Sequence, residues 1–276
     1  MSDAWLEVRR GRGPLVLGLP HTGVDIPAGI GDRFVTPWLA RKDTDWWVDQ
    51  LYAFADDLGA SVVRTSISRS VIDVNRDPSG ASLYPGQATT ELCPTTTFDG
   101  EPLYQEGLEP DAGEINWRRT SFFTPYHAAI TAELARLKAL HGSVVLYDAH
   151  AIRSRIPRLF DGALPDLNIG TNAGRACGPA LSGALAEVCT AAPFSSVVDG
   201  RFKGGWTTRH HGAPEAGVHA VQMEIACTAY MDEPDVLTPE TWPPPYDARR
   251  ALPIQALLRR VLQVCLDRNL ARKDGR

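Results

Sequence analysis

Cysteine is scarce and falls into no recognisable framework: five in 276 residues, at positions 93, 177, 189, 227 and 265, with no Cys-x-x-Cys spacing. An odd, scattered set argues against a disulfide scaffold and against a structural thiolate zinc site. Cys177, Cys189 and Cys265 fall in apolar helical patterns and read as core filler. Positive charge is also in short supply. Twenty-eight Lys and Arg against 33 Asp and Glu leave a net charge of −5, so the basic face of a nucleic-acid binder is not expected. No apolar run approaches membrane-spanning length, and the opening residues lack the apolar core of a signal peptide. The expected partners therefore include neither nucleic acid nor membrane, and the expected compartment is the cytoplasm. Gly-x-Gly-x-x-Gly, Gly-Lys-Ser/Thr, Gly-x-Ser-x-Gly and His-Glu-x-x-His are all missing, which takes support from nucleotide-driven and serine-hydrolase chemistry. There is no internal repeat and no low-complexity tract.

What is present is an ordinary globular composition, 43% apolar and 22% charged, in a chain long enough to bury a sizeable core. The pattern alternates short apolar runs with helical periodicity. Residues 14–20 read as a first strand. Thr36-Pro37 opens a helix that runs past Trp46, Trp47, Leu51, Phe54 and Leu58 to Gly59, which puts Asp45 on a helix. Residues 61–65 and 71–74 read as strands, Thr124-Pro125 opens a second helix, and residues 143–149 form the next strand. A strand at 166–170, a helix through Leu181, Leu185 and Val188, a glycine-rich loop at 202–212, a strand at 218–225 and a helix over about 248–270 follow. This is an α/β pattern with a mostly parallel sheet, helices on both faces, and no linker to divide it, so a single domain over 1–276 is expected. Residues 77–120 depart from it. They are rich in Pro and Gly, are too long for an ordinary connection, and are expected to form a functional excursion or lid.

The chemistry concentrates in histidines at strand ends. His21 follows Pro14–Pro20 and His150 follows Ser143–Ala149; in an open α/β sheet the carboxyl ends of strands form the ligand crevice. Two imidazoles with one carboxylate, Asp45, make a mixed site that leaves a metal position open. Asp43 and Asp25 compete with Asp45 for that place. Asp148, two residues before His150 on the same side of its strand, is placed to orient the imidazole. Glu224, flanked by Met223 and Ile225 on a late strand, is the candidate general base, because a buried carboxylate must either pair or serve a cleft. Arginines crowd these segments: Arg69, Arg76, Arg153, Arg155, Arg158 and Arg209. Their planar forks suit a substrate bearing carboxylates. Asn75, Arg76, Arg153, Arg209 and His210 are the candidate substrate-binding residues. The bland alternatives are satisfied core histidines and surface ion pairs.

Five segments in order, Pro20-His21-Thr22-Gly23, Asp43-Thr44-Asp45, Asp73-Val74-Asn75-Arg76, Asp148-Ala149-His150 and His219–Glu224, resemble the signature segments of N-formylglutamate amidohydrolases. Gly204–His210 resembles the deformylase branch, which acts at the end of histidine degradation. The resemblance spans residues 13 to 230. It implies a phosphorylase/hydrolase-like fold akin to zinc carboxypeptidases, one zinc ion, and hydrolysis of N-formyl-L-glutamate, a small dicarboxylate amide. It also implies that His21 and His150 are ligands, that Glu224 is the base, and that Asn75-Arg76 holds a substrate carboxylate. One departure stands out: the carboxypeptidases draw ligands from His-x-x-Glu, whereas Val24 occupies the third place after His21. The carboxylate ligand must then come from elsewhere, Asp45 before Asp43 or Asp25. A His/carboxylate site also suits other divalent ions. Two other functions compete: a zinc carboxypeptidase or N-acyl amino acid deacylase, and a non-catalytic binding protein.

Overall fold

The computed structural model describes residues 5–83 and 86–270. Seven strands form one mixed sheet: β1 (Leu6–Arg9), β2 (Leu15–Leu19), β3 (Ser61–Thr65), β4 (Val144–Ile152), β5 (Leu167–Gly170), β6 (Ser196–Val198) and β7 (Val218–Ala226). They are ordered β1-β3-β2-β4-β7-β5-β6. The central pairs β3/β2, β2/β4 and β4/β7 are parallel, as are β5 and β6. β1 joins β3, and β5 joins β7, antiparallel. The expected α/β class with a mostly parallel sheet is what the chain forms.

The central strands are apolar on both faces because helices cover both. Odd-numbered residues, among them Leu15, Leu17, Val145, Tyr147, Val221 and Met223, share one core with Leu181 and Leu185 of α5 (Pro179–Thr190) and Ile254, Leu258 and Leu262 of α7 (Ala248–Leu270). Even-numbered Val16, Leu146 and Ala220 face Tyr126, Ile130, Leu134 and Leu137 of α4 (Thr124–His141). The period of two that separates these cores also assigns Asp148, His150, Gln222 and Glu224 to the α4 side. Towards the carboxyl ends of β4 and β7, polar side chains thus replace apolar ones on that face alone. All five cysteines are buried, and none is in a disulfide.

Several local expectations are corrected. The single helix foreseen over 36–58 is broken into a 3-10 turn (Leu39–Arg41), a one-turn helix (Val48–Leu51) and a second 3-10 stretch (Ala53–Leu58). Trp47, at φ 64°, stands in the left-handed region that breaks it; its indole donates to the Pro244 carbonyl at 3.0 Å. Asp45 therefore lies on irregular backbone, where its amide donates to the His21 carbonyl at 3.0 Å. Residues 71–74 form a turn, because Asp73 and Asn75 fold inward. Residues 206–211, foreseen as loop, form the short helix α6 (Trp206–His211). β4 continues two residues beyond His150. The Pro/Gly-rich excursion gives way at Ala112 to helix α3 (Ala112–Arg118), which a π-turn links to α4. Before that point it has no helix and no named strand among its described residues, yet Leu92, Phe98, Leu103 and Tyr104 are buried.

Candidate metal and substrate site

His21 leaves the end of β2, His150 stands on neighbouring β4, and Asp45 is tied by its backbone to His21. The three side chains converge. His150 Nδ1 lies 3.1 Å from His21 Nδ1 and 3.1 Å from Asp45 Oδ2, and His21 Nδ1 lies 3.5 Å from Asp45 Oδ2. All three residues are buried. The opposite ring nitrogens both meet carboxylates: His21 Nε2 is 2.7 Å from Asp73 Oδ1, and His150 Nε2 is 2.9 Å from Asp148 Oδ2. Protons on Nε2 satisfy those carboxylates, so both Nδ1 lone pairs point at each other and at an anionic oxygen. Such convergence calls for positive charge between these atoms, supplied by a proton or by a metal cation. Four ligands around an ion at roughly 2.0–2.1 Å have edges of about 3.3 Å, and the observed edges bracket that value. The donor set thus fits a tetrahedral divalent ion with one position open to a fourth ligand. Asp43 and Asp25 stand apart: Asp43 Oδ2 accepts from the Phe98 amide at 2.6 Å, and Asp25 is exposed.

The backing carboxylates are themselves held. Arg69 Nη1 donates to Asp45 Oδ1 at 3.1 Å and Arg69 Nη2 to Asp73 Oδ2 at 2.8 Å, so one buried fork fixes a candidate ligand and the carboxylate behind another. Asp73 Oδ1 also accepts the Asn75 amide at 2.9 Å. Burial alone would raise the Asp45 carboxyl; the charge of His21, the hydrogen bonds from both histidines and Arg69 hold it well below the usual range. Burial likewise opposes a charged His150, but Asp148 and Asp45 raise it well above the ordinary imidazole value. Both shifts say that this pocket demands positive charge.

Glu224 lies beside His150 in the β4/β7 register. Its Oε2 accepts from Gln222 Nε2 at 2.9 Å, while Gln222 Oε1 accepts the Gly205 amide at 2.7 Å. Burial, reinforced by Asp45 and opposed by His150, pushes the Glu224 carboxyl up to about 7; a cation on the cluster would pull it down again. The Thr207 amide donates to Asn75 Oδ1 at 2.8 Å, so the first turn of α6 orients Asn75 as well as Gln222. Gly205 is required here, because a Cβ would stand 2.4 Å from Asn75 Nδ2.

A cavity of about 150 Å³ opens above these groups. His21, His150 and Glu224 line it, with Arg69, Asn75, Arg76 and Arg201 among its polar walls and Leu83, Phe98, Ile152 and Phe202 among its apolar ones. Residues 77 and 80–83 and residues 88–92 of the excursion form part of the rim. Arg76 donates through Nε to the Thr90 carbonyl at 3.1 Å and through Nη2 to Thr90 Oγ1 at 3.0 Å. Three of the candidate substrate residues lie outside this cavity. Arg153 is turned to Asp99, at 2.9 and 3.2 Å, and to Asp43. Arg209 donates to the Gly204 carbonyl at 2.8 Å, and His210 stacks on Trp206 with centroids 4.9 Å apart. Asp73, Gln222 and Arg201 carried no role in the sequence reading. The strand foreseen at 71–74 hid Asp73, although its spacing from Asn75-Arg76 was visible.

The family model described as N-formylglutamate amidohydrolase matches residues 13–231. A protein named N-formylglutamate deformylase from Pseudomonas aeruginosa is 50% identical over 232 residues, covering 84% of this chain and 87% of its own. One of the same name from Pseudomonas putida is 45% identical over 265 residues, 96% of each chain. A crystal structure of an N-formylglutamate amidohydrolase from Ralstonia eutropha JMP134 superposes with a TM-score of 0.75 at 20% identity, over 99% of this chain and all of that one; it shares the fold.

Proposed function

The chain belongs to the N-formylglutamate amidohydrolase family, and from that premise and the site geometry we propose that it is a zinc-dependent N-formylglutamate deformylase, releasing formate and L-glutamate at the end of histidine degradation. One observation carries the reading: His21 Nδ1, His150 Nδ1 and Asp45 Oδ2 converge within 3.1–3.5 Å beside a buried carboxylate, under a cavity of metabolite size. His21, Asp45 and His150 would hold the ion. When bound, such an ion polarises an acyl carbonyl and makes a water molecule more acidic.

The side chains do the rest. Glu224 takes a proton from the attacking water and passes it to the departing amine. Gln222 holds one Glu224 oxygen, which leaves the other for the proton. Asn75 and Arg76 bind a substrate carboxylate at the cavity wall. Asp73 and Asp148 keep both imidazoles in the Nε2-protonated form, and Arg69 fixes Asp45 and Asp73 relative to one another. The depth of the site keeps bulk water from competing for these hydrogen bonds.

Formate release from N-formyl-L-glutamate by the purified protein tests this, before and after chelation and with zinc restored. Release that is lost on chelation and recovered with zinc is the expected result. A metal-loaded protein that releases no formate would exclude the deformylase reading and turn the search to other acyl groups.

A further inference from the structure

Arg201 lines the same cavity as Arg76 and Glu224, and the structure takes trouble to aim it. Phe202, its neighbour, is pinned on both sides by Asn168 of β5: Asn168 Nδ2 donates to the Phe202 carbonyl at 2.6 Å, and the Phe202 amide donates to Asn168 Oδ1 at 3.3 Å. The guanidinium lies over the Phe202 ring, 5.2 Å from its centroid. Its Nε donates to the Leu159 carbonyl at 3.0 Å and its Nη2 to the Ala88 carbonyl at 3.2 Å. These carbonyls fix the plane of the guanidinium.

Arg76 is tied to Thr90, two residues further along the same stretch of the excursion, and its Nη2 also lies 3.6 Å from Asp73 Oδ2. Arg76 and Arg201 are thus both tied to the stretch from Ala88 to Thr90, and both border the cavity that holds Glu224.

We propose that Arg201 is a specificity-determining residue that binds the substrate's side-chain carboxylate, while Arg76 binds the carboxylate next to the scissile amide. The assignment rests on the amidohydrolase reading above. It accounts for an excursion that ties its cavity rim to both arginines. A fork facing a carboxylate discriminates against the isosteric amide, which carries no charge and presents donors where acceptors are needed.

The test compares kcat/KM for N-formyl-L-glutamate and N-formyl-L-glutamine in the zinc-loaded wild type, Arg201→Met and Arg201→Lys. The wild type should prefer the glutamate substrate by at least about tenfold. Arg201→Met should bring the ratio near unity by losing activity on the glutamate substrate alone, and Arg201→Lys should recover part of the preference. Equal losses on both substrates, no loss on either, or a wild type indifferent to the two would overturn the assignment and leave the deformylase reading intact. A zinc-loaded wild type inactive on both substrates would overturn the reading and the assignment together.

Discussion

Glu224 and Asp73 separate two jobs that single residues perform in this site. Glu224 faces the cavity and is held by Gln222 rather than by a candidate ligand, so Glu224→Gln should lower turnover by about 10²–10⁴-fold and leave metal content unchanged. Formate release and elemental analysis on one preparation check this; full turnover in the variant would remove Glu224 from the chemistry. Asp73 acts behind His21, whose Nε2 it holds at 2.7 Å. Asp73→Asn can present an amide donor there, which disturbs the tautomer, and should weaken metal binding by about 10–100-fold. Competition against a chelator of known affinity measures that, and unchanged affinity would show that Asp73 does not set the ring. His21, His150 and Asp45 were legible because each stands at a visible chemical anomaly, an imidazole after an apolar run or an acid beside tryptophans. Arg69 and Gln222 were not, because a residue that acts on another side chain leaves no periodic mark. Arg153 and Arg209 pointed the wrong way for a related reason: proximity in sequence to His150 or Gly205 does not decide which carboxylate or carbonyl a long side chain reaches.

Helix α6 shows the same limit at the level of an element. Six residues after two glycines carry too little periodicity to announce a helix, yet their first turn positions Asn75 and Gln222. Its other end meets α4. His127 Nδ1 lies 3.0 Å from His211 Nε2, and His127 Nε2 donates to the Val74 carbonyl at 2.7 Å. A neutral His211 donating to a neutral His127 satisfies that chain. Burial pushes His127 down to about 4, and burial together with His127 and His210 pushes His211 down to about 3. Unfolded histidines take up protons near 6.5. The pair's contribution is thus complete above pH 6.5 and is lost progressively as the pH falls towards 4. Each histidine gives a slope of at most about 1.4 kcal/mol per pH unit, less for the partly exposed His211. Denaturant unfolding measured between pH 7 and 5 should show stability falling with acidity, and His127→Gln should flatten that fall. An unchanged slope in the variant would mean that the acid sensitivity lies elsewhere.

For the whole molecule, the parallel core was legible because strands buried on both faces read as continuous apolar runs, and the helices between them carry clean periodicity. The antiparallel additions β1 and β5 and the broken stretch from 39 to 58 were not, since long-range packing, such as Trp47 on Pro244, overrides local pattern there. Those long-range ties meet at the His21–Asp45–His150 cluster. It joins the end of β2, the irregular backbone at Asp45 and the carboxyl-terminal part of β4, and through Asp73 and Arg69 it reaches the turn that carries Asn75 and Arg76. In the unfolded chain these groups are scattered over 130 residues of sequence, from 21 to 150, and bind an ion weakly. An ion that binds only the folded chain stabilises it by about 4 kcal/mol when present at a thousand times its dissociation constant. A chain of this size gains about 2–4 °C in Tm per kcal/mol, so removing the ion should lower Tm by roughly 8–16 °C, and zinc should restore it. Thermal unfolding of the chelated and zinc-restored protein, with metal content determined on each sample, makes the comparison. A Tm that does not move when the ion is shown to have left would mean that Arg69 and the backing carboxylates alone hold these segments together, with the cluster preformed and the ion contributing chemistry but not fold.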